Sequence, residues 1–270
     1  MSDREIPMIK VDKKNYEQYN SLFRKLKCHL AVKATLDGLT SCDLFADSLS
    51  NTEIAIIRSN NRYFTEINGD KSAFEKLVNF FGNIKDENHR HFQIYFSNEI
   101  AGKKFLKNMK NWNYKVIDLV KYRVSTCKYK EKTDFPDLLK ILTAQEVMHN
   151  EDSYENIDKL KEEMCSERKN VEDFLNKSFG LCLLFGNQII GWCLSEYNTK
   201  NSCEVGIAID EKYRNKLLGT YLAEQFVLYS KKMGMKEIHW NSLKINIPSI
   251  KTAIKAGFEK ELEYKEILVY

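Results

Sequence analysis

The stretch YRNKLLGT, Tyr213 to Thr220, joins a run of strand character, EVGIAID (Glu204 to Asp210), to one of helix character, LGTYLAEQFVLYSKKMG (Leu218 to Gly234). A strand that turns into a helix leaves several backbone N–H groups pointing outward at the positive end of the helix dipole, and that geometry binds phosphate. Arg214 adds a base to the turn. Phosphate cradles are usually richer in glycine, however, and here Leu217 and Leu218 stand ahead of a lone Gly219. From these residues alone the turn is either an anion site or an ordinary helix start.

Working outward, the chain continues with a strand (KEIHWNS), a helix from Pro248 to Ala256 and a last strand (FEKELEYKEILVY). Proline suits the first turn of that helix and Gly257 its stop. On the other side lie SFGLCLLF, QIIGWCLSEY and SCEVGIAID, separated by the turn signals GN and NTKN. Turns this short require neighbouring strands to run antiparallel, so the three form a meander. A short strand, LLKILTA, and a charged helical region from Ser153 to Asn176 precede them, and the polar run STCKYKEKTDFPD reads as a connection.

In the first half, NYEQYNSLFRKLKCHL places Tyr19, Leu22, Phe23, Leu26 and Leu30 at helical spacing, which predicts an amphipathic helix. EIAIIRS and RYFTEIN are strands around an Asn60-Asn61 turn, followed by a helix (KSAFEKLVNFF), a strand (HFQIYFS), a helix (EIAGKKFLKNM) and a strand (YKVIDLVKYRV). The expected organisation is a smaller α/β domain over residues 1–124 and a second over 125–270.

Two segments, IDEKYRNKLLGTYLAEQF (Ile209 to Phe226) and NIPSIKTAIKAGF (Asn246 to Phe258), following a three-stranded meander, together resemble the GCN5-related N-acetyltransferase (GNAT) family. The likeness covers roughly Phe179 to Tyr270, and the preceding half resembles the subgroup in which a degenerate acetyltransferase-like module comes first. It implies an α/β (α+β) fold with a mixed, mostly antiparallel sheet flanked by helices. It also implies an acetyl-CoA-dependent N-acetyltransferase, with the acetyl group passing from the thioester to an amine by direct attack in a ternary complex. The alternative is a non-catalytic acetyl-CoA-binding or regulatory protein that uses the same fold.

The family turn runs R/Q-x-x-G-x-G/A, whereas this chain reads Arg214, Asn215, Lys216, Leu217, Leu218, Gly219, so leucine replaces the first glycine. Backbone N–H groups do most of the phosphate binding, and leucine supplies one provided that the position needs no positive φ. The resemblance assigns acetyl-CoA to this turn with Thr220, and its pantetheine to the strand Val205, Ile207, Ala208 and Ile209. Asn246 and Ser249, one turn apart on a helix, either bond the pantetheine arm or, for Asn246, cap the helix. Glu204 is the expected base, or else a solvated strand-end charge. The family's tyrosine acid would fall at Ala253, leaving Tyr221, water or no acid. His239 reads as structural, and Trp192, Tyr197 and Trp240 as core, with Tyr197 near enough to a strand end to line the acceptor site.

Composition narrows the partners. A net charge of +4 and a pI near 8.5 are too mild for a nucleic-acid protein, so charge itself names no partner; the resemblance implies an amine acceptor, either a small molecule or a peptide. The opening MSDREIPMIK has no apolar run, and no stretch approaches the roughly 20 apolar residues that cross a bilayer, so a cytoplasmic, membrane-free monomer or homodimer is expected. Seven cysteines with no C-x-x-C pair favour neither a disulfide framework nor a metal site, and read as reduced core residues.

Overall fold

In a computed structural model, which describes residues 8–88, 91–109, 112–127, 129–130 and 138–270, strands and helices alternate along both halves of the chain. They sort into two units, Met1–Asp118 with Lys265–Tyr270, and Leu119–Tyr264.

The first unit holds β1 (Ile9–Lys10), α1 (Leu30–Leu36), β2 (Asp43–Ala46), β3 (Ile54–Ser59), β4 (Arg62–Ile67), α2 (Lys71–Asn88), β5 (Phe92–Phe96), α3 (Glu99–Asn108) and the first part of β6 (Tyr114–Ser125). β1 to β4 pair antiparallel in order, and Asn60 at φ 50° closes the β3–β4 hairpin. β5 pairs parallel to β4 on one edge, and on the other takes Ile267–Val269, the end of the chain's last strand. Strand pairing rather than chain order therefore decides membership, and the division between the units falls inside β6, after Asp118.

The amphipathic helix expected before α1 is instead two 3-10 segments, Lys13–Tyr19 and Leu22–Cys28. Their buried residues, Tyr16 with Tyr19 and Phe23 with Leu26, recur in steps of three, which matches the roughly three residues per turn of that helix type.

The second unit contains β7 (Leu139–Thr143), α4 (Ala144–His149), α5 (Ile157–Met164), α6 (Val171–Lys177), β8 (Gly180–Phe185), β9 (Gln188–Glu196), β10 (Ser202–Ile209), α7 (Leu218–Lys232), β11 (Glu237–Leu243), α8 (Ile247–Lys255) and most of β12 (Glu259–Val269). β7, β8, β9 and β10 form an antiparallel meander, β11 joins β10 in parallel, and the second part of β6 lies antiparallel on β11. The sheet is thus mixed and mostly antiparallel. One face, with Leu181, Cys193, Cys203, Val205, Ile238 and Trp240, packs against Leu222, Phe226 and Val227 of α7 and Ala253 of α8. On the other face Cys182, Leu184 and Leu194 are covered by Val147, Leu160 and Phe174 from α4, α5 and α6.

Of the cysteines, Cys182, Cys193 and Cys203 are core residues, whereas Cys28 and Cys42 are half-buried and Cys127 and Cys165 exposed. Burial pushes the Cys182 thiol up to about 12, far from the thiolate. The connection expected at 125–137 falls largely outside the described residues, although Thr126 and Tyr129 are anchored to the carbonyls of Met235 and Ala256.

Candidate functional site

β10 and β11 are in register only from Ser202↔Glu237 to Glu204↔His239. Beyond that point β10 runs on to Ile209 and β11 to Leu243 without pairing, so a gap opens in the sheet. The Asp210 N–H donates to the Ile190 carbonyl at 2.8 Å, and this fixes the alternation along β10. Glu204, Gly206 and Ala208 turn their backbone groups toward β9, whereas Val205, Ile207 and Ile209 direct theirs at the gap. Three of the four strand residues assigned to the pantetheine are therefore placed toward the opening, where the Val205 carbonyl, both backbone groups of Ile207 and the Ile209 N–H stand, the Val205 N–H being used in the Glu204↔His239 pairing. Ala208 is not, because its polar backbone is spent on Trp192.

At the end of β10 the Ile209 carbonyl accepts from Arg214 Nε at 3.0 Å, which folds the guanidinium back over the strand end. The turn then passes through Asn215 at φ 62° and Leu217 at φ 61°. Leu217 thus holds a left-handed conformation, so the condition set on leucine standing in for glycine, that the position need no positive φ, is not met. Such a backbone costs an L-residue about 1–2 kcal/mol, so the shape of the turn has been kept at the expense of strain. The backbone N–H groups from Asn215 through Thr220 have no hydrogen-bond partner among the described residues, and no side chain caps α7. Elsewhere in the unit α4 carries a Thr143–Glu146 capping box, and Asn170 caps α6. Lys216 holds its ammonium 5.5 Å from the centre of the Tyr213 ring, so two bases flank the open donors.

Leu218 points into the core and Leu217 into solvent. A Cβ on Gly219 would meet Thr252 Cγ2 at 3.5 Å and Ile209 Cγ1 at 3.6 Å, ordinary contacts, so packing does not demand glycine there. Gly219 marks where the end of β10, α7 and α8 converge.

At the start of α8 the side-chain oxygen of Asn246 accepts the Ser249 N–H at 3.2 Å, the capping alternative. The Ser249 hydroxyl takes the Trp240 indole N–H at 3.0 Å. Both residues are engaged in holding α8 and Trp240 in place.

The face of the sheet away from α7 and α8 carries the polar side chains. Registered partners share a face, which sets Glu204 beside Glu196 of β9 and His239 of β11, and His239 beside Arg123 of β6. Glu204 is buried rather than a solvated strand end. His239 Nδ1 lies 3.4 Å from Glu261 Oε2, and the same carboxylate is 3.4 Å from the ammonium of the buried Lys121. Burial, with Lys121 nearby, pulls the imidazole down to about 4, so His239 is neutral at physiological pH. Tyr221 is buried along α7, and Ala253, where the family's tyrosine acid would fall, is fully buried in the core. Tyr264 of β12 presents a phenol that donates to Asn241 Oδ1 at 3.1 Å on β11, beyond the last paired residue. Tyr197 is buried at φ 45° directly after Glu196.

Sequence reasoning missed Glu196, Lys121 and Tyr264, because only the pairing of distant strands brings them to this face. It also missed α4, although TAQE carries the signature of its capping box.

A family model described as GNAT acetyltransferase matches residues 20–267. An uncharacterized N-acetyltransferase of Bacillus subtilis, YdfB, is 32% identical over 94 residues, which is 35% of this chain and 36% of that protein. Among solved structures, a GCN5-related N-acetyltransferase-like protein from Streptococcus suis superposes with a TM-score of 0.69 at 16% identity, covering 95% of this chain and 99% of that one. A tandem GNAT protein from the clavulanic acid biosynthesis pathway gives 0.61 at 9% identity, with 97% of each chain covered.

Proposed function

We propose that this chain, which belongs to the GNAT acetyltransferase family, uses acetyl-CoA to acetylate an amine by direct attack while donor and acceptor are bound together. The observation that carries the reading is the run of unpartnered amides from Asn215 to Thr220 at the uncapped start of α7. Open N–H groups and the positive end of a helix dipole suit a pyrophosphate, and Arg214 and Lys216 add charge beside them. The gap between β10 and β11 suits an extended pantetheine arm, which would bond the Val205 carbonyl, both backbone groups of Ile207 and the Ile209 N–H as an added strand does.

Acetyl-CoA would supply the thioester. The N–H groups of β10 that face the gap would polarise its carbonyl, while Glu204, at the last paired position, would receive the proton that the ammonium group of the acceptor must lose. The nitrogen–carbon bond then forms and the carbon–sulfur bond breaks. The departing thiolate takes a proton, for which the Tyr264 phenol beside the gap is better placed than a residue at 253.

The first unit repeats the element order of the second, and we read it as a degenerate module that holds no acetyl-CoA of its own. There β4 and β5 stay paired from Arg62↔Gln93 to Thr65↔Phe96, leaving no comparable gap. At the start of α2 the Asp70 carboxylate accepts from the Ser72 N–H at 2.8 Å, placing negative charge where a phosphate would sit. Cysteines without a disulfide among the described residues suit a reducing, cytoplasmic setting.

Calorimetry with acetyl-CoA tests the turn. Gly219→Glu has room to fold, and it should abolish binding by placing a carboxylate among the open amides. Wild-type affinity in that folded variant removes the turn from the site, and a free-CoA release screen over many amines then reads turnover.

A further inference from the structure

Asn241 is the next residue after His239 on the same face of β11, and it lies beyond the Glu204↔His239 pair, where the gap has opened. It is half-buried, and its neighbour across β6 is Lys121. Its side-chain oxygen accepts from the Tyr264 phenol at 3.1 Å. A carboxamide carries two N–H donors beside that oxygen, and among the described residues neither has a partner. Tyr264 therefore fixes which end of the amide it faces and leaves the donor end turned away from it.

Glu204 supplies the complementary half. Its carboxylate is buried and makes no hydrogen bond or ion pair among the described residues. It is a diagonal neighbour of Asn241, one strand across and two residues along from the Glu204↔His239 pair. A rise of about 3.3 Å per residue and a strand spacing of about 4.8 Å set the two positions about 8 Å apart. An ammonium held by Glu204 and an oxygen held by Asn241, each at about 2.9 Å, then stand about 2–3 Å from one another. That is close to the separation of nitrogen and carbonyl oxygen within one amino-acyl unit, about 3 Å from its bond lengths. An extended lysine side chain, with four methylene groups between its amine and its α-carbon, does not present the two atoms at this spacing.

Two further observations narrow the ligand. Pantetheine laid in the gap as an added strand stays in the plane of the sheet, so a side-chain donor standing out from this face meets the acceptor rather than the thioester. The cations of the face, Lys121 and Arg123, lie 3.4 Å from Glu261 and 3.5 Å from Glu237. A carboxylate would thus set its charge beside Glu204 against cations already paired, whereas a neutral carbonyl needs only the amide.

We propose that Asn241 is a specificity residue that donates to the carbonyl oxygen of an α-amino amide, the group carried by an amino-acid amide or by the N-terminus of a peptide, while Glu204 faces its amine. This rests on the acetyl-transfer reading for the location of the acceptor. Asn241 binds the part of the acceptor that does not react.

The test is equilibrium binding, not turnover. Glycine N-ethylamide, glycylglycine N-ethylamide and n-pentylamine, which matches the first in chain length, are titrated calorimetrically into the protein saturated with CoA, at about pH 6 where all three are ammonium ions. Glycine N-ethylamide should bind about fivefold more tightly than n-pentylamine, the preference that one net hydrogen bond gives. Asn241→Asp keeps the bond from Tyr264 and removes only the donors, and it should cut that preference to about twofold or less, as should Asn241→Ala. Tyr264→Phe, which frees the amide to turn over, should retain part of it. Tighter binding of the dipeptide derivative than of glycine N-ethylamide assigns the site to a peptide N-terminus, and equal or weaker binding assigns it to a single amino-acid amide. Equal binding of glycine N-ethylamide and n-pentylamine, or a preference that survives both Asn241→Asp and Asn241→Ala, overturns the proposal. Failure of CoA itself to bind overturns the reading of the turn and gap instead, and the same series on the free protein still decides the role of Asn241.

Discussion

Leu217→Gly exchanges a side chain held at φ 61° and ψ 4° for the residue that adopts those angles without penalty. Leucine loses about 1–2 kcal/mol in this conformation. Its side chain is 59% exposed, so removing it forfeits little burial. Against the gain stands the extra freedom of glycine in the unfolded chain, up to about 1 kcal/mol. The net expectation is a protein more stable by about 0.5–1 kcal/mol, whereas Leu217→Ala, which keeps the strained angle, stays near wild type. Urea titration reads this as a higher midpoint at unchanged slope. Because the amides of the turn are all retained, acetyl-CoA affinity measured by calorimetry should hold or tighten. If the glycine variant is no more stable than the alanine variant, the strain assigned to Leu217 is wrong. If it folds but loses acetyl-CoA, the leucine side chain rather than its N–H positions the donor.

Glu204→Gln should lower turnover by a factor on the order of 100 with acetyl-CoA affinity nearly intact, and the deficit should shrink as rising pH deprotonates the amine; equal rates from pH 6 to 9 would remove the base. His239 titrates near 6.5 when unfolded and about 4 when folded, so the unfolded chain binds more protons between those values. The stability from its neutral form is complete above 6.5 and is lost as pH falls toward 4, by on the order of 3 kcal/mol at most. His239→Asn should flatten the pH dependence of the urea midpoint in that window, and an unchanged slope refutes the assignment. In the first unit, burial raises the Glu266 carboxyl above its usual 4.5 despite the hydrogen bond it accepts from Tyr95. Its charge therefore opposes folding at neutral pH, and Glu266→Gln should raise the thermal midpoint at pH 7 but not at pH 4.

The meander was legible because QIIGWCLSEY and its neighbours alternate between short polar turns, and the turn at Tyr213 to Thr220 because strand, base and helix follow in order. Leu217 misled for a local reason. Sequence shows which side chain replaced glycine, but the φ it must adopt is dictated by the strand end and helix it connects. Asn246 was legible as a cap, since Pro248 marks the helix start. Glu196 was not legible as a neighbour of Glu204, because only the register of β9 on β10 sets the two side by side. Lys121 and Tyr264 lie still further away in the chain, on strands whose partners no local pattern specifies. The 3-10 segments show the same limit at short range, since apolar residues in steps of three and four fit two helix types over so few turns.

The pairing of Ile267–Val269 with β5 also bears on the order in which this protein is finished during synthesis. Domains generally fold as they leave the ribosome, the N-terminal one first. Here the first unit is begun first but completed only after the second, since its final strand segment, Ile267–Val269, emerges behind the whole of Leu119–Tyr264. Until then β5 carries an open edge of unpaired N–H and C=O groups, the kind of edge that templates pairing with other chains. A chain cut just before Ile267 would leave that edge open permanently, so a cut there should be felt in a unit whose other strands lie more than a hundred residues earlier.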